Sequence, residues 1–201
     1  NRTAVLAHTD PYFTNDGISR TTSIYCRTMT PYSNNPGMYQ VTTVGAGLNF
    51  GVPITEFDRI FGGVSLERNT ISLYDNSPLA YREYVYNYGD TTNAAILNTG
   101  WSKDTRDSAL VPTRGSFTRL KADVGTVSLK YYMLSGQQQL FVPLGRDYTI
   151  AFNAMMDYGK SYSDLQYPII KNVYAGGIGS VRGYSTNSLG PRDLLTGTYL
   201  G

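Results

Sequence analysis

The sequence predicts an all-β protein, a transmembrane antiparallel β-barrel of which this chain is a part. Three observations carry that expectation. Apolar side chains recur with a period of two rather than 3.6, the signature of strands with unlike faces. Several of the periodic stretches are long enough to cross a bilayer at a tilt, which takes roughly 9–11 residues. The composition is that of a β-protein with little charge: 16% Asp, Glu, Lys and Arg, against roughly 25% in soluble domains.

Eight strands are expected, at 2–10, 17–31, 38–52, 59–74, 92–103, 115–126, 129–142 and 147–160. The third shows the pattern best. Val44, Ala46, Leu48, Phe50 and Val52 fall on one face, and Thr43, Gly45, Gly47, Asn49 and Gly51 on the other. The eighth repeats it, with Tyr148, Ile150, Phe152, Ala154, Met156 and Tyr158 opposite Thr149, Ala151, Asn153, Asp157 and Gly159. The fourth carries Ile60, Val64 and Leu66 on its apolar side. In the sixth, Leu120, Ala122 and Val124 oppose Arg119, Lys121 and Asp123. Charges opposite an apolar stripe are hard to place in a dry sandwich and easy to place in a water-filled barrel. The seventh strand leaves its facing open, because Gln137, Gln138 and Gln139 are consecutive.

The connections alternate in length. Turn-like segments lie at 10–17, 53–58, 104–115 and 143–147, and longer ones at 75–91 and after 160. Outer-membrane barrels have short periplasmic turns and longer extracellular loops, so the alternation assigns sides. The short connection near 126–129 is an exception on the extracellular side. Residues 79–86 are expected to form a short surface helix within their loop. No run of about 18 apolar residues occurs, so no transmembrane helix is expected. Both ends look interrupted: the chain starts inside a strand and stops in a Gly-rich run.

With 18 Tyr, 7 Phe and 1 Trp, aromatic residues suit both interfacial girdles and polar barrel walls. A net charge of +2 gives no argument for nucleic acid. Cys26 is the only cysteine and His8 the only histidine, so neither an internal disulfide nor a His-rich metal site can form within the chain. The ordinary reading of both is as strand residues. Asp104, Arg106, Asp107 and Arg114 cluster at one turn; a solvated charged turn is preferred there to a catalytic dyad. No catalytic, cofactor or metal residue is assigned, and no enzyme activity is expected.

The most informative stretch is 176–191, with five glycines in sixteen residues: Gly176, Gly177, Gly179, Gly183 and Gly190, the last followed by Pro191. Gly177–Gly183 fails as a dinucleotide fingerprint, since three residues separate its second and third glycines and no βαβ context surrounds it. Such density implies positive φ or close backbone approach. Arg182, between Val181 and Gly183, is the kind of residue that anchors a loop by a forked pair with a carboxylate. An ordinary flexible surface loop is the competing reading.

Val181-Arg182-Gly183-Tyr184 resembles the V-R-G-[FY] signature of the BamA superfamily of outer-membrane barrels. Tyr174-Ala175-Gly176-Gly177 before it and Asn187-Ser188-Leu189-Gly190-Pro191 after it look like the BamA branch in particular. Asp10-Pro11-Tyr12-Phe13-Thr14 with Asp16-Gly17 is similar to that family's N-P-Y-F-T turn, with Asp for the usual Asn. Gly51-Val52-Pro53-Ile54 with Glu56, the Asp104–Arg106–Asp107…Pro112…Gly115 turn and Tyr81-Arg82…Tyr86…Gly89 agree in order.

The resemblance implies a sixteen-stranded barrel preceded by periplasmic POTRA domains. This chain, 1–201, would supply about half the strands and most of a long extracellular loop at about 161–201, with no POTRA domain. It implies that the loop folds into the lumen, that Arg182 meets acidic residues on strands C-terminal to this segment, that Gly183 and Gly179 permit the tight backbone, and that Tyr184 packs in the lumen. It implies a place in the bacterial outer membrane, with the lipid bilayer, unfolded outer-membrane proteins and accessory assembly lipoproteins as partners, and the folding and insertion of barrel proteins as the function. Two-partner secretion or TamA-like translocation stays open within the same superfamily. A porin-like channel and an outer-membrane enzyme are alternatives of other classes.

Overall fold

A computed structural model describes residues 2–30, 39–75, 77–145 and 147–192. It contains eight strands: β1 (Arg2–Asp10), β2 (Ser19–Met29), β3 (Tyr39–Pro53), β4 (Asp58–Leu73), β5 (Thr91–Asp104), β6 (Gly115–Val127), β7 (Tyr131–Pro143) and β8 (Thr149–Ser161). All eight expected strands are present, with ends shifted by a few residues. Positions 31 and 38 of the expected second and third strands, and 193–201 of the expected loop, lie outside the described residues.

The strands form one antiparallel sheet in the order β1-β2-β3-β4-β5-β6-β7-β8. Every neighbour in the sheet is a neighbour in sequence. Among the described residues β8 does not pair with β1, so the sheet is open. Strands of 9 to 16 residues are long beside the five or six of a globular sheet.

Register carries one face across the whole sheet. Thr43 is opposite Asn69, Gly45 opposite Glu67 and Gly47 opposite Ser65. The row continues through Ala94 and Ile96 on β5 to Gly125 on β6 and Tyr131 on β7. This inner face holds the buried residues Tyr39, Ile71, Ala94, Ile96 and Tyr131. It also carries Arg119, Lys121, Asp123 and Asn98. The alternate positions form the outer face, where large apolar side chains stand free: Leu6 is 75% exposed, Leu66 62%, and Phe152 59%. Apolar groups arrayed along the middle of one face over eight strands, with charge on the other face and at the ends of the strands, match lipid outside and a wet interior.

The facing of β7, open in the sequence, is settled by register. Gln137 and Gln139 pair with inner Arg119 and Phe117, and Gln138 is outward beside Thr118. The Thr118 hydroxyl donates to Gln138 Oε1 at 2.6 Å. That bond satisfies a polar pair on the lipid side, where an unpaired amide would be costly. Near the turn end of the outer face the Trp101 indole N–H donates to Asp58 Oδ1 at 3.1 Å. Arg20 lies 4.2 Å from the centroid of the Phe13 ring. Outward Tyr132 and Tyr158 sit together at the opposite end, 6.1 Å between centroids. Aromatic and charged groups thus bound the apolar band at both ends.

The helix expected at 79–86 is present as α1 (Leu79–Tyr88). One side of it lies at the surface as expected, with Tyr86 90% exposed, but the other side is buried. Tyr81 and Tyr84, one turn apart on the same side, are buried at 2% exposure each, and α1 folds back over the inner face. Tyr81 stacks on Tyr39 at 3.7 Å between ring centroids. The short connection after β6 has a related cause. Val127 takes φ of 72° and turns the chain so that Leu129 is fully buried in the same cluster.

Candidate functional site

The inner face at its loop end is occupied by the chain that follows β8. Its first residues are tied back to the wall: the Tyr162 hydroxyl donates to the Gly125 carbonyl at 2.7 Å, and the Tyr162 N–H to the Lys130 carbonyl at 3.4 Å. The chain then crosses the face. Tyr167 meets Tyr131 edge-on at 5.7 Å and lies across Gly159, where a β-carbon would come within 2.6 Å of its ring. The Tyr88 hydroxyl, at the end of α1, donates to the Gln166 carbonyl. Pro168 is fully buried, and Ile169, the start of a single 3-10 turn (Ile169–Lys171), joins the core cluster.

Lys171 ends that turn and reaches β4. Its Nζ lies 2.8 Å from Glu67 Oε2, with side-chain exposures of 22% and 12%. The other carboxylate oxygen accepts from the Tyr25 hydroxyl at 2.8 Å. Tyr25, Gly45 and Glu67 form one register row over β2, β3 and β4. β2 and β4 are about 10 Å apart, and the tyrosine spans that distance by lying over Gly45. A β-carbon there would meet Tyr25 Cζ and Oη at 2.7 Å. The glycine is required for close approach, not for an unusual φ.

Beyond Lys171 the hydroxyls of Tyr174 and Tyr81 are 3.4 Å apart. Burial first, then the neighbouring Tyr39 and Tyr174, pushes the Tyr81 hydroxyl well above the usual phenol range, so it stays neutral. Burial likewise raises Tyr84 and, with the carboxylates of Asp123 and Asp157, Tyr167.

The Gly-rich segment starts at the Ala175–Leu189 bridge. The Leu189 N–H donates to the Ala175 carbonyl at 3.0 Å, and the Asn187 N–H to the Gly176 carbonyl at 3.3 Å. Gly176, Gly177, Gly183 and Gly190 all take positive φ, as does Asn187. At Gly176 a β-carbon would also meet the Ser185 carbonyl at 2.5 Å. Gly179 is not among the positive-φ glycines and has open space around it. Val181, Arg182, Gly183 and Tyr184 sit at the exposed tip, and Pro191 follows the base. Among the described residues no carboxylate reaches Arg182; Tyr184 is 55% exposed. The V-R-G-Y residues are thus brought together as a hairpin tip, while the pairing visible on the wall is Lys171 with Glu67. No local signal marks that pair, whose members are 104 residues apart.

At the other end of the inner face Arg119 lies 5.0 Å from the Phe61 ring centroid, beside a cavity of about 360 Å³ that Arg59 and Ser102 also line. The turn below is held by two local devices. The Arg106 guanidinium forks onto Asp104 at 2.8 and 2.7 Å. Asp107 accepts from the Thr113 hydroxyl, the Thr113 N–H and the Arg114 N–H. Those bonds, the Thr113 hydroxyl first, hold the Asp107 carboxyl down at about 2. Among the described residues no group of three or more His, Cys, Asp or Glu could hold a metal ion. His8, opposite Thr22, lies on an exposed strand of the outer face.

Long antiparallel strands, an apolar outer face, a polar inner face and a chain segment seated inside define a sector of a transmembrane β-barrel. The chain belongs to the Omp85 superfamily, whose domain model matches residues 1–201. It is 35% identical over 200 residues to outer membrane protein assembly factor BamA of Neisseria meningitidis serogroup B, a match covering 93% of this chain and 25% of that protein. It is 27% identical over 120 residues to a SAM50-like protein of Schizosaccharomyces pombe, covering 55% of this chain and 25% of that one. The chain thus spans about a quarter of the length of these relatives. The fold matches the crystal structure of BamA from Haemophilus ducreyi lacking POTRA domains 1–3, with a TM-score of 0.87, 22% identity, and coverage of 99% of this chain and 42% of that one.

Proposed function

We propose that the chain is a sector of the membrane-embedded barrel of an assembly factor that folds and inserts other β-barrel proteins into the bacterial outer membrane. The observation that carries this reading is the 35% identity, over nearly the whole chain, to a protein named outer membrane protein assembly factor. The remaining strands of the barrel and the periplasmic POTRA domains would lie elsewhere in the protein. Its partners would be the lipid bilayer, unfolded outer-membrane proteins and accessory lipoproteins.

The work is non-covalent. A barrel strand entering lipid carries N–H and C=O groups that hydrocarbon cannot satisfy. A barrel with an edge that opens lends those groups partners by strand addition. In this reading Arg182 pairs with a carboxylate outside this segment and biases the barrel's conformation. Val181 and Tyr184 pack around it, and Gly176, Gly177, Gly179, Gly183, Gly190 and Pro191 shape the backbone that delivers it.

The test uses the full-length protein with its co-purifying partners in liposomes, timing the folding of an unfolded outer-membrane barrel by gel shift. Acceleration by the wild type that weakens with Arg182→Ala is the expected result. No acceleration by the wild type would sink the reading and would favour translocation within the same superfamily.

A further inference from the structure

We infer that Lys171, Glu67 and Tyr25 form a latch that seats the long loop in the barrel by itself, without Arg182. Four observations lead there. The Lys171–Glu67 contact joins the loop directly to β4 at 2.8 Å. Both carboxylate oxygens of Glu67 are engaged, one by Lys171 and one by Tyr25, so the anion is fixed rather than free to follow water. Gly45 clears the path that lets the tyrosine reach it. The segment around Lys171 is packed, with Pro168 and Ile169 buried and the Tyr167 hydroxyl donating to the Lys171 carbonyl at 3.3 Å.

The contrast with Arg182 matters. Arg182 is exposed at the tip of a hairpin whose own hydrogen bonds run between its two arms. Lys171 sits before the base of that hairpin, on chain already packed into the core. A charge pair this poorly solvated loses much when one partner is removed, because the other is left without compensation. The latch therefore sets where the hairpin starts, and Arg182 acts only on where its tip goes. Lys171, Glu67 and Tyr25 are positioning residues; none touches a substrate in this reading.

The experiment reads loop seating and not assembly activity, so its outcome is separate from that of the insertase reading. In the full-length protein with every native cysteine, Cys26 included, replaced by Ser, Ile169→Cys places a thiol at a position that is 8% exposed in the native chain. The rate of its reaction with a water-soluble maleimide reports unseating. Glu67→Gln and Lys171→Met are each expected to speed labelling by about tenfold or more. The double variant should label no faster than the faster single, because both remove one contact. Tyr25→Phe, which keeps the ring over Gly45, should give a smaller increase, Lys171→Arg should stay protected, and Arg182→Ala should label at the wild-type rate. Heat-modified gel mobility shows which variants retain the barrel. Unchanged labelling in folded Glu67→Gln and Lys171→Met, multiplied effects in the double variant, or release by Arg182→Ala would each overturn the inference.

Discussion

Gly45→Ala is a one-carbon change with a cost that the geometry sets. The new β-carbon would meet Tyr25 at 2.7 Å and the backbone carbonyl of Leu66 at 2.8 Å. The tyrosine can swing away, but doing so breaks its bond to Glu67, and a hydrogen bond to a charged group is worth roughly 1.5–3 kcal/mol. The Leu66 carbonyl belongs to the β3–β4 ladder and cannot move without shifting a strand. Together the two effects are expected to cost about 3 kcal/mol. Gly47, two residues on and on the same face, is the control. Its β-carbon would meet the Ser23 hydroxyl at 3.2 Å and Ser65 at 3.6 Å, so Gly47→Ala should cost less than about 1 kcal/mol. Denaturant titration of the refolded full-length protein in lipid, followed by gel mobility, compares them. Equal costs at the two sites would refute the account of Gly45 as the glycine over which Tyr25 reaches Glu67.

Three further outcomes follow from other parts of the sheet. Leu97→Arg, at the middle of the outer face, should destabilise by about 2–4 kcal/mol, while Asn98→Arg on the inner face should cost far less; the same titration separates them, and equal losses would mean the faces are misassigned. Val127→Asn should stabilise by about 1 kcal/mol, since a β-branched residue at positive φ is strained and Asn tolerates that region; slower amide exchange at 127–131 checks it. The Asp107 clasp should be fully formed above about pH 4 and lost as pH falls through about 2, because the folded state holds that carboxyl below its ordinary value of 3.8. Its stabilisation is therefore present above the unfolded value and disappears on protonation. Protection factors of the Thr113 and Arg114 amides, taken relative to the intrinsic exchange rate at each pH, should show that loss, and in Asp107→Ala they should stay low and unchanged over the same window.

The wall was legible in the sequence because a lipid-facing strand has two unlike faces. Val44 through Val52, Ile150 through Tyr158 and the Leu120–Val124 stripe all face outward as their alternation requires. Alternation failed in β7, where three glutamines hide the phase. The phase is fixed instead by partners, Arg119 opposite Gln137 and Thr118 beside Gln138. For α1 the residues were visible but not their destination, since Tyr81 and Tyr84 suit a wet surface as well as a polar cavity. The V-R-G-Y stretch was legible as a motif because glycine density and a lone arginine are local. Lys171 and Glu67 were not, because no period links a residue after the last strand with one on the fourth. The Tyr25–Gly45 pairing has the same cause: it exists only once register is known.

The order of the sheet has a bearing on how the molecule comes to be. Each strand pairs with the one before it, so the wall can grow as a series of hairpins, each closed over a short stretch of chain. The contact between Lys171 and Glu67 is of another kind, closing a loop of 104 residues. Its entropic cost is met only after the intervening strands have fixed Glu67 in place. The lysine also follows all eight strands in the chain. Seating of the loop is therefore a late event that registers whether the wall beneath it has been laid down in order, and a wall with a strand slipped by one residue would turn Glu67 to the lipid side and leave Lys171 with nothing to meet.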